Sequence, residues 1–109
     1  MNWKLVYLPE AAKDLKNLDG SQKLMVIKAI DKVLQNPLPV SKGGYGKPLG
    51  NKQGSDLSGF LKIKLRNAGI RVVYKLVWTE TEMLVVVIGA RADDEVYETA
   101  QYRAKKNHI

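Results

Sequence analysis

Two neighbouring segments of the chain alternate between hydrophobic and basic residues, the pattern of a β-strand with one buried face. The apolar set is Leu61, Ile63, Leu65, Ile70, Val72, Tyr74, Leu76 and Trp78, and the basic set is Lys62, Lys64, Arg66, Arg71 and Lys75. Asn67, Ala68 and Gly69 join the two segments, and this short connection predicts a β-hairpin.

The length of the hairpin loop decides which side chains share a face. A loop of two or four residues puts the two apolar sets together and pairs Arg66 with Arg71, Lys64 with Val73 and Lys62 with Lys75. A three-residue loop would place the core side of one strand opposite the charged side of the other, so burial selects the even loop. The predicted result is one face that carries all five cations. Like charges opposite each other are destabilising, which favours an anion-binding surface, while a merely solvated face is an equally good interpretation of the pattern.

The first part of the chain predicts a strand followed by two helices. The strand spans Trp3 to Leu8, and Pro9-Glu10 opens a helix that ends at Asp19-Gly20. Ser21 is the expected cap of the second helix, which ends at Asn36-Pro37. Its expected buried stripe consists of Leu24, Ile27, Ile30 and Leu34. The two helices form an αα-hairpin whose apolar side should cover the sheet.

The segment from Leu38 to Ser58 lacks periodicity and is rich in glycine and proline, so a long loop is expected, with room for a short extended piece at Lys47-Pro48-Leu49. Gly43-Gly44-Tyr45-Gly46-Lys47 does not fit a phosphate-binding loop, because the glycine spacing is wrong and no Ser or Thr follows Lys47.

The run from Met83 to Ala90 is hydrophobic without alternation, which predicts a central strand buried on both faces, with a bulge or bend at Gly89. Asp93-Asp94-Glu95 then supplies the start of a last helix that has Tyr97 in its first turn. The expected fold is α+β: an N-terminal strand and an αα-hairpin packed on a mainly antiparallel sheet of about four strands, with a C-terminal helix.

Length and composition indicate one globular domain over residues 1–109. The net charge of +7 and the pI of 9.7 favour a polyanion or an acidic protein as partner. The chain has no cysteine, which excludes disulfides, thiolate zinc sites and cysteine nucleophiles. No signal peptide or membrane span is visible, so we expect a cytoplasmic protein without a membrane partner.

Cleavage of RNA is one chemistry that such a basic face could support. The only histidine is His108, close to the end of the chain, where a catalytic role is not favoured. Asp93, Asp94 and Glu95 are interpreted as a helix start, so we predict no metal site and no cofactor. A tyrosine among cations remains: Lys62, Lys64, Arg71 and Arg91 would favour the ionised form of Tyr97. On spacing alone, a core or surface tyrosine is the simpler interpretation.

Several segments together resemble the RelE toxins of the RelE/ParE superfamily. They are Leu8-Pro9-Glu10-Ala11, Asn36-Pro37, Leu61-Lys62-Ile63-Lys64-Leu65, Gly69-Ile70-Arg71-Val72-Val73-Tyr74, Gly89-Ala90-Arg91 and Glu95-Val96-Tyr97. Their order and spacing cover nearly the whole chain except the glycine-rich loop. The resemblance implies a type II toxin that cuts mRNA in the ribosomal A site and is neutralised by a RelB-like antitoxin.

The same resemblance implies roles for five residues. Tyr97 would be the general base for the 2′-hydroxyl and Arg91 the general acid for the leaving oxygen. Arg71 would stabilise the phosphate, and Lys62 and Lys64 would bind the RNA backbone. Arg66 and Lys75 acquire no such role and are expected to steer RNA or the ribosome.

Two other functions stay open at this stage. ParE toxins of the same superfamily inhibit DNA gyrase without enzymatic activity and lack the full set of five residues. A nucleic-acid-binding module without activity would use the same basic face.

Overall fold

The computed structural model of the chain describes residues 2–52, 55–90 and 93–109. The elements in these ranges are β1 (Lys4–Tyr7), α1 (Pro9–Lys16), α2 (Gly20–Leu34), a 3₁₀ turn (Val40–Lys42), β2 (Lys47–Lys52), β3 (Ser55–Leu65), β4 (Ile70–Val77), β5 (Glu82–Gly89) and α3 (Asp93–Lys106). The strands form one sheet in the order β1-β5-β4-β3-β2. Only the β1–β5 pair is parallel among these neighbours. The α+β class is therefore confirmed, with five strands in place of the expected four.

The hairpin of β3 and β4 has the predicted parity but a different set of pairs. Leu65 pairs with Ile70, so the loop consists of the four residues 66–69. It is closed by hydrogen bonds from Ala68 N to Leu65 O at 3.1 Å and from Gly69 N to Arg66 O at 3.2 Å. The even loop was thus predicted correctly. The individual pairs were wrong by two residues, because Arg66 belongs to the turn.

The second helix differs from its prediction in two respects. Its cap is Asp19, whose carboxylate accepts a hydrogen bond from Gln22 N at 2.8 Å, and Ser21 does not cap it. The buried residues are Val26, Ile30 and Val33, whereas Leu24 and Ile27 from the predicted stripe are 54% and 37% exposed. The helix is therefore rotated about its axis relative to the expected orientation.

The expected long loop is more ordered than its glycine content indicated. It contains the 3₁₀ turn and the edge strand β2, and β3 already begins at Ser55. A Cβ at Gly44 would overlap the Leu38 carbonyl, and one at Gly46 would overlap the Tyr74 hydroxyl. Glycine at these two positions therefore allows the loop backbone to pack closely against Leu38 and Tyr74.

Strand β5 is buried on both faces, as predicted, since every residue from Met83 to Ile88 is buried. It lies beside β4, which occupies the centre of the sheet. The register with β4 shifts at Val86 and not at the expected Gly89, because Val73 pairs with Val87 and Tyr74 with Val85.

Helices α1 and α2 pack against the sheet, as predicted for the αα-hairpin, with α1 on β5 and α2 on β3. Helix α3 contacts β3, β4 and β5. None of the helices in the described ranges is long and apolar enough to cross a bilayer.

Candidate functional site

The basic face of the sheet is the surface against which helix α3 packs. Lys62 on β3 points toward this helix, and its Nζ donates a long hydrogen bond of 3.4 Å to the Oη of Tyr97. The same ammonium lies 5.9 Å from the centre of the Tyr97 ring. Two residues that are 35 positions apart in the sequence are thus brought into direct contact.

The position of Tyr97 within α3 follows from where the helix starts. Asp93 begins the helix, so Tyr97 is its fifth residue and lies just beyond the predicted first turn. Tyr97 is only 5% exposed, and Val96 and Ala100 on the same helix are also buried. This packing holds the phenol oxygen beside a cation in a fixed orientation.

Tyr74, a tyrosine of the sheet, has a structural role and differs in its surroundings from Tyr97 on α3. Tyr74 on β4 is fully buried, and its hydroxyl donates a hydrogen bond of 2.8 Å to the carbonyl of Pro37. Burial raises the pKa of Tyr74, so this phenol stays protonated at neutral pH. Tyr97 instead has the Lys62 ammonium beside its oxygen.

Lys64 and Arg71 form the second pair of the site, because the two residues are directly opposite each other in the β3–β4 ladder. Both are half-buried. A cleft of about 310 Å³ lies beside them at the end of the hairpin, lined by Lys64, Leu65, Arg66, Gly69, Ile70 and Arg71. The described residues that line the cleft include three cations and no acid, so the cleft has the charge that a phosphate group requires.

The other two cations of the hairpin lie apart from this centre. Arg66 is an exposed turn residue that lines the cleft from the hairpin tip. Lys75 is opposite Phe60, toward the other end of the strands, and its Nζ lies 5.4 Å from the centre of the Phe60 ring. Arg91, the predicted general acid, lies outside the described residues.

One polar contact near the site was not anticipated from the sequence. Asp14 on α1 and Arg103 on α3 form an ion pair at 2.6 Å, and both side chains are mostly buried. Asp14 and Arg103 are 89 positions apart, and no local sequence pattern predicts a contact over that separation.

Comparison with known proteins finds similar proteins over nearly the whole chain, although not among protein-family models. No protein-family model matches it. A protein of Escherichia coli described as RelE-like toxin is 27% identical over 105 residues, which cover 96% of this chain and all of the relative.

Solved structures with a similar fold include a double arginine-to-alanine mutant of E. coli RelE in the free state. It is 25% identical with a TM-score of 0.71, covering 94% of this chain and 98% of that one. RelE in the intact E. coli RelBE toxin–antitoxin complex is 23% identical with a TM-score of 0.65, covering 83% and 98%. In both sequence and fold the chain is therefore similar to RelE toxins.

Proposed function

We propose that the protein is the toxin of a type II toxin–antitoxin system and acts as a ribosome-dependent mRNA endoribonuclease. The observation that carries the proposal is the contact between Lys62 Nζ and Tyr97 Oη on a sheet face that also holds the Lys64–Arg71 pair. A phenol beside an ammonium can act as a base, and adjacent cations can bind the phosphate that the base must reach.

The proposed reaction is an attack of the 2′-oxygen of one nucleotide on its own 3′-phosphorus. Tyr97 accepts the proton of the 2′-hydroxyl, the new 2′-O–P bond forms, and the bond from phosphorus to the 5′-oxygen of the next nucleotide breaks. Arg91 donates a proton to that leaving oxygen, a role that rests on the family resemblance alone. The products are a 2′,3′-cyclic phosphate, or the 3′-phosphate formed from it by water, and a free 5′-hydroxyl.

The cations of the hairpin have separate tasks in this proposal. Arg71 stabilises the negative charge that grows on the phosphate in the transition state, as cationic donors do in phosphoryl chemistry. Lys62 and Lys64 bind the RNA backbone, and Lys62 also favours the ionised phenol of Tyr97. The ribosome presents the mRNA in its A site, so the toxin needs no base-reading groove of its own.

A RelB-like antitoxin is the proposed protein partner. The similar fold of RelE in the RelBE complex supports this proposal, because that relative is seen bound to its antitoxin. The net charge of +7 also suits an acidic partner that covers the basic face.

The decisive variant is Tyr97→Phe, which removes only the hydroxyl and keeps a ring that is 5% exposed. We expect cleavage of ribosome-bound mRNA to fall by about 10²- to 10⁴-fold, the usual contribution of a general base. Tyr102→Phe is the matched control, because Tyr102 lies on the same helix and is 67% exposed. Circular dichroism and thermal unfolding of both variants verify the fold.

Near-normal cleavage by Tyr97→Phe would refute the proposed mechanism. A supercoiling assay run beside mapping of the mRNA ends separates the ParE-like alternative. Inhibition of gyrase without new mRNA ends would assign the protein to that alternative, and binding of RNA without either effect would indicate a binding module.

A further inference from the structure

Strand β5 is longer than its parallel neighbour β1, and this mismatch leaves an open edge in the sheet. The two strands pair from Lys4 with Glu82 to Tyr7 with Val85. Beyond that point β5 continues to Gly89, while the chain turns away from the edge strand into α1. The backbone groups of this buried stretch need other partners, since unsatisfied buried N–H and C=O groups are costly.

Two side chains supply those partners. The backbone N–H of Ile88 donates to Asp14 Oδ2 at 3.0 Å, and Arg103 Nη1 donates to the carbonyl of Val86 at 3.0 Å. The two side chains also bind each other through both terminal nitrogens of the guanidinium group, with Nη1 to Oδ2 at 2.6 Å and Nη2 to Oδ1 at 3.2 Å. We call this arrangement of Asp14 and Arg103 on the edge of β5 the edge clamp.

The edge clamp joins α1, α3 and β5, and the apolar anchor of α3 is small. The described side chains of α3 that are buried in the core are Val96, Tyr97, Ala100 and Ala104, and two of these contribute only a methyl group. Polar contacts continue past the clamp, where Asn107 donates to Glu10 at 3.3 Å and Lys106 lies 3.7 Å from the same carboxylate. The C-terminal half of α3 is thus held mainly through α1 and the edge of β5.

We propose that Asp14 and Arg103 are positioning residues for Tyr97. Arg103 lies six residues after Tyr97 on one rigid helix, about 9 Å along its axis. The clamp attaches this helix to Val86 and Ile88 of β5, and the next residue of that strand, Gly89, pairs directly with Arg71. The helix that carries the candidate base is therefore fixed to the strand beside the phosphate-binding arginine.

The inference rests on the proposed function for the identity of the base, but the docking of α3 can be measured without any RNA. The chain has no cysteine, so one introduced thiol reports on a single position. Ala100→Cys places the thiol on the fully buried face of α3, and Val85→Cys places it in the fully buried part of β5 as a control for global unfolding.

We expect Arg103→Gln to accelerate thiol labelling at position 100 by about tenfold or more, the effect of losing charge-assisted hydrogen bonds, with no change at position 85. Arg103→Lys keeps the charge but loses the two-pronged contact, so it should give an intermediate rate. Asp14→Asn should resemble Arg103→Gln. Unchanged labelling at position 100, or equal acceleration at both positions, would overturn the proposal.

The kinetic readout uses the cysteine-free variants on ribosome-bound mRNA. Because Arg103 is not expected to touch RNA, Arg103→Gln should lower kcat by about tenfold or more and leave KM nearly unchanged, since small misplacement of a catalytic group costs rate. Arg103→Lys should recover part of kcat. A change in KM alone would overturn the positioning role. Absence of cleavage by the wild-type protein would instead refute the proposed function, and the labelling rates would still decide whether the clamp docks α3.

Discussion

Two arginines of the hairpin differ in the way the fold holds them, although the sequence pattern treats them alike. Arg71 is a half-buried residue of β4 opposite Lys64, whereas Arg66 is an exposed residue of the turn. We expect Arg71→Ala to reduce single-turnover cleavage of ribosome-bound mRNA by about 10²- to 10³-fold, as for other removed transition-state donors. Arg66→Ala should weaken RNA binding several-fold and reduce its salt dependence. Equal losses in the two variants would contradict this division.

The contacts of single residues were predictable from the sequence only where alternation applies. Alternation along β3 and β4 placed Lys62, Lys64 and Arg71 on one face, and the parity of the loop needed nothing but burial. The approach of Tyr97 to Lys62 depends on how α3 crosses the sheet, and no local pattern encodes a crossing between elements. A position of Tyr97 among these cations was a hypothesis from the chemistry of RNA cleavage and from the family resemblance, and the hydrophobic pattern did not predict it.

At the scale of elements, helix α2 shows why an apolar pattern can fix a helix without fixing its orientation. Leu24, Val26 and Ile27 follow one another closely, so apolar residues occupy more than one face of the helix. Ile30 belongs to both the predicted and the observed buried stripe, whereas the other buried residues differ from the predicted ones. The sheet selects Val26 and Val33, and this choice depends on the shape of the surface that the helix meets.

The orientation of α2 gives a direct test on stability. Ile30 is fully buried and Ile27 is 37% exposed. Ile30→Ala should lower the free energy of unfolding by about 2–5 kcal/mol because it leaves a cavity. The matched substitution Ile27→Ala should cost about 1 kcal/mol or less. Urea unfolding of the two variants measures the difference, and a larger loss for Ile27→Ala would restore the stripe predicted from the sequence.

Strand β2 confirms the short extended piece that the sequence predicted at Lys47-Pro48-Leu49 and continues beyond it to Lys52. Its sequence contains Pro48 and Gly50, which usually argue against a strand. Proline is tolerated at a sheet edge, where one side of the backbone needs no partner in the ladder, and β2 is one of the two edge strands. The register shift between Pro48 and Gly50 accommodates both residues. Pairing with β3 thus overrides the local preference.

At the scale of the whole molecule, the order and type of most elements followed from periodicity, whereas their arrangement did not. Length and turn signals indicated the two N-terminal helices, the hairpin and the last helix. The parallel pairing of β1 with β5 joins residues that are far apart in sequence, and many registers would bury similar apolar area. The edge clamp exists because this parallel pair ends at Val85, so it too was beyond sequence reasoning.

The charge balance of the whole molecule makes the fold sensitive to acid. The net charge is already +7 at neutral pH, and protonation of carboxylates adds further self-repulsion. The backbone N–H of Gln22 and the Ser21 hydroxyl lower the pKa of Asp19, which caps α2. Its own backbone N–H and the Asn107 amide lower the pKa of Glu10, which joins α1 to the end of α3.

The sign of the effect follows from where the protons bind. The unfolded carboxylates titrate near pH ~4, above the lowered values of the folded state, so the unfolded chain takes up protons first. Stability from Asp19 and Glu10 is therefore present above about pH 4 and is lost as the pH falls through the folded pKa values.

The double variant Asp19→Asn/Glu10→Gln tests this origin, because asparagine caps a helix nearly as well as aspartate but does not titrate. We expect Tm of the double variant to depend less steeply on pH than that of the wild type between about pH 5 and pH 3. Glu80→Gln in the exposed turn before β5 measures the effect of one lost negative charge away from these contacts, and twice that effect is subtracted for the double variant. Equal slopes for the double variant and the wild type would show that acid acts through overall repulsion and not through these two carboxylates.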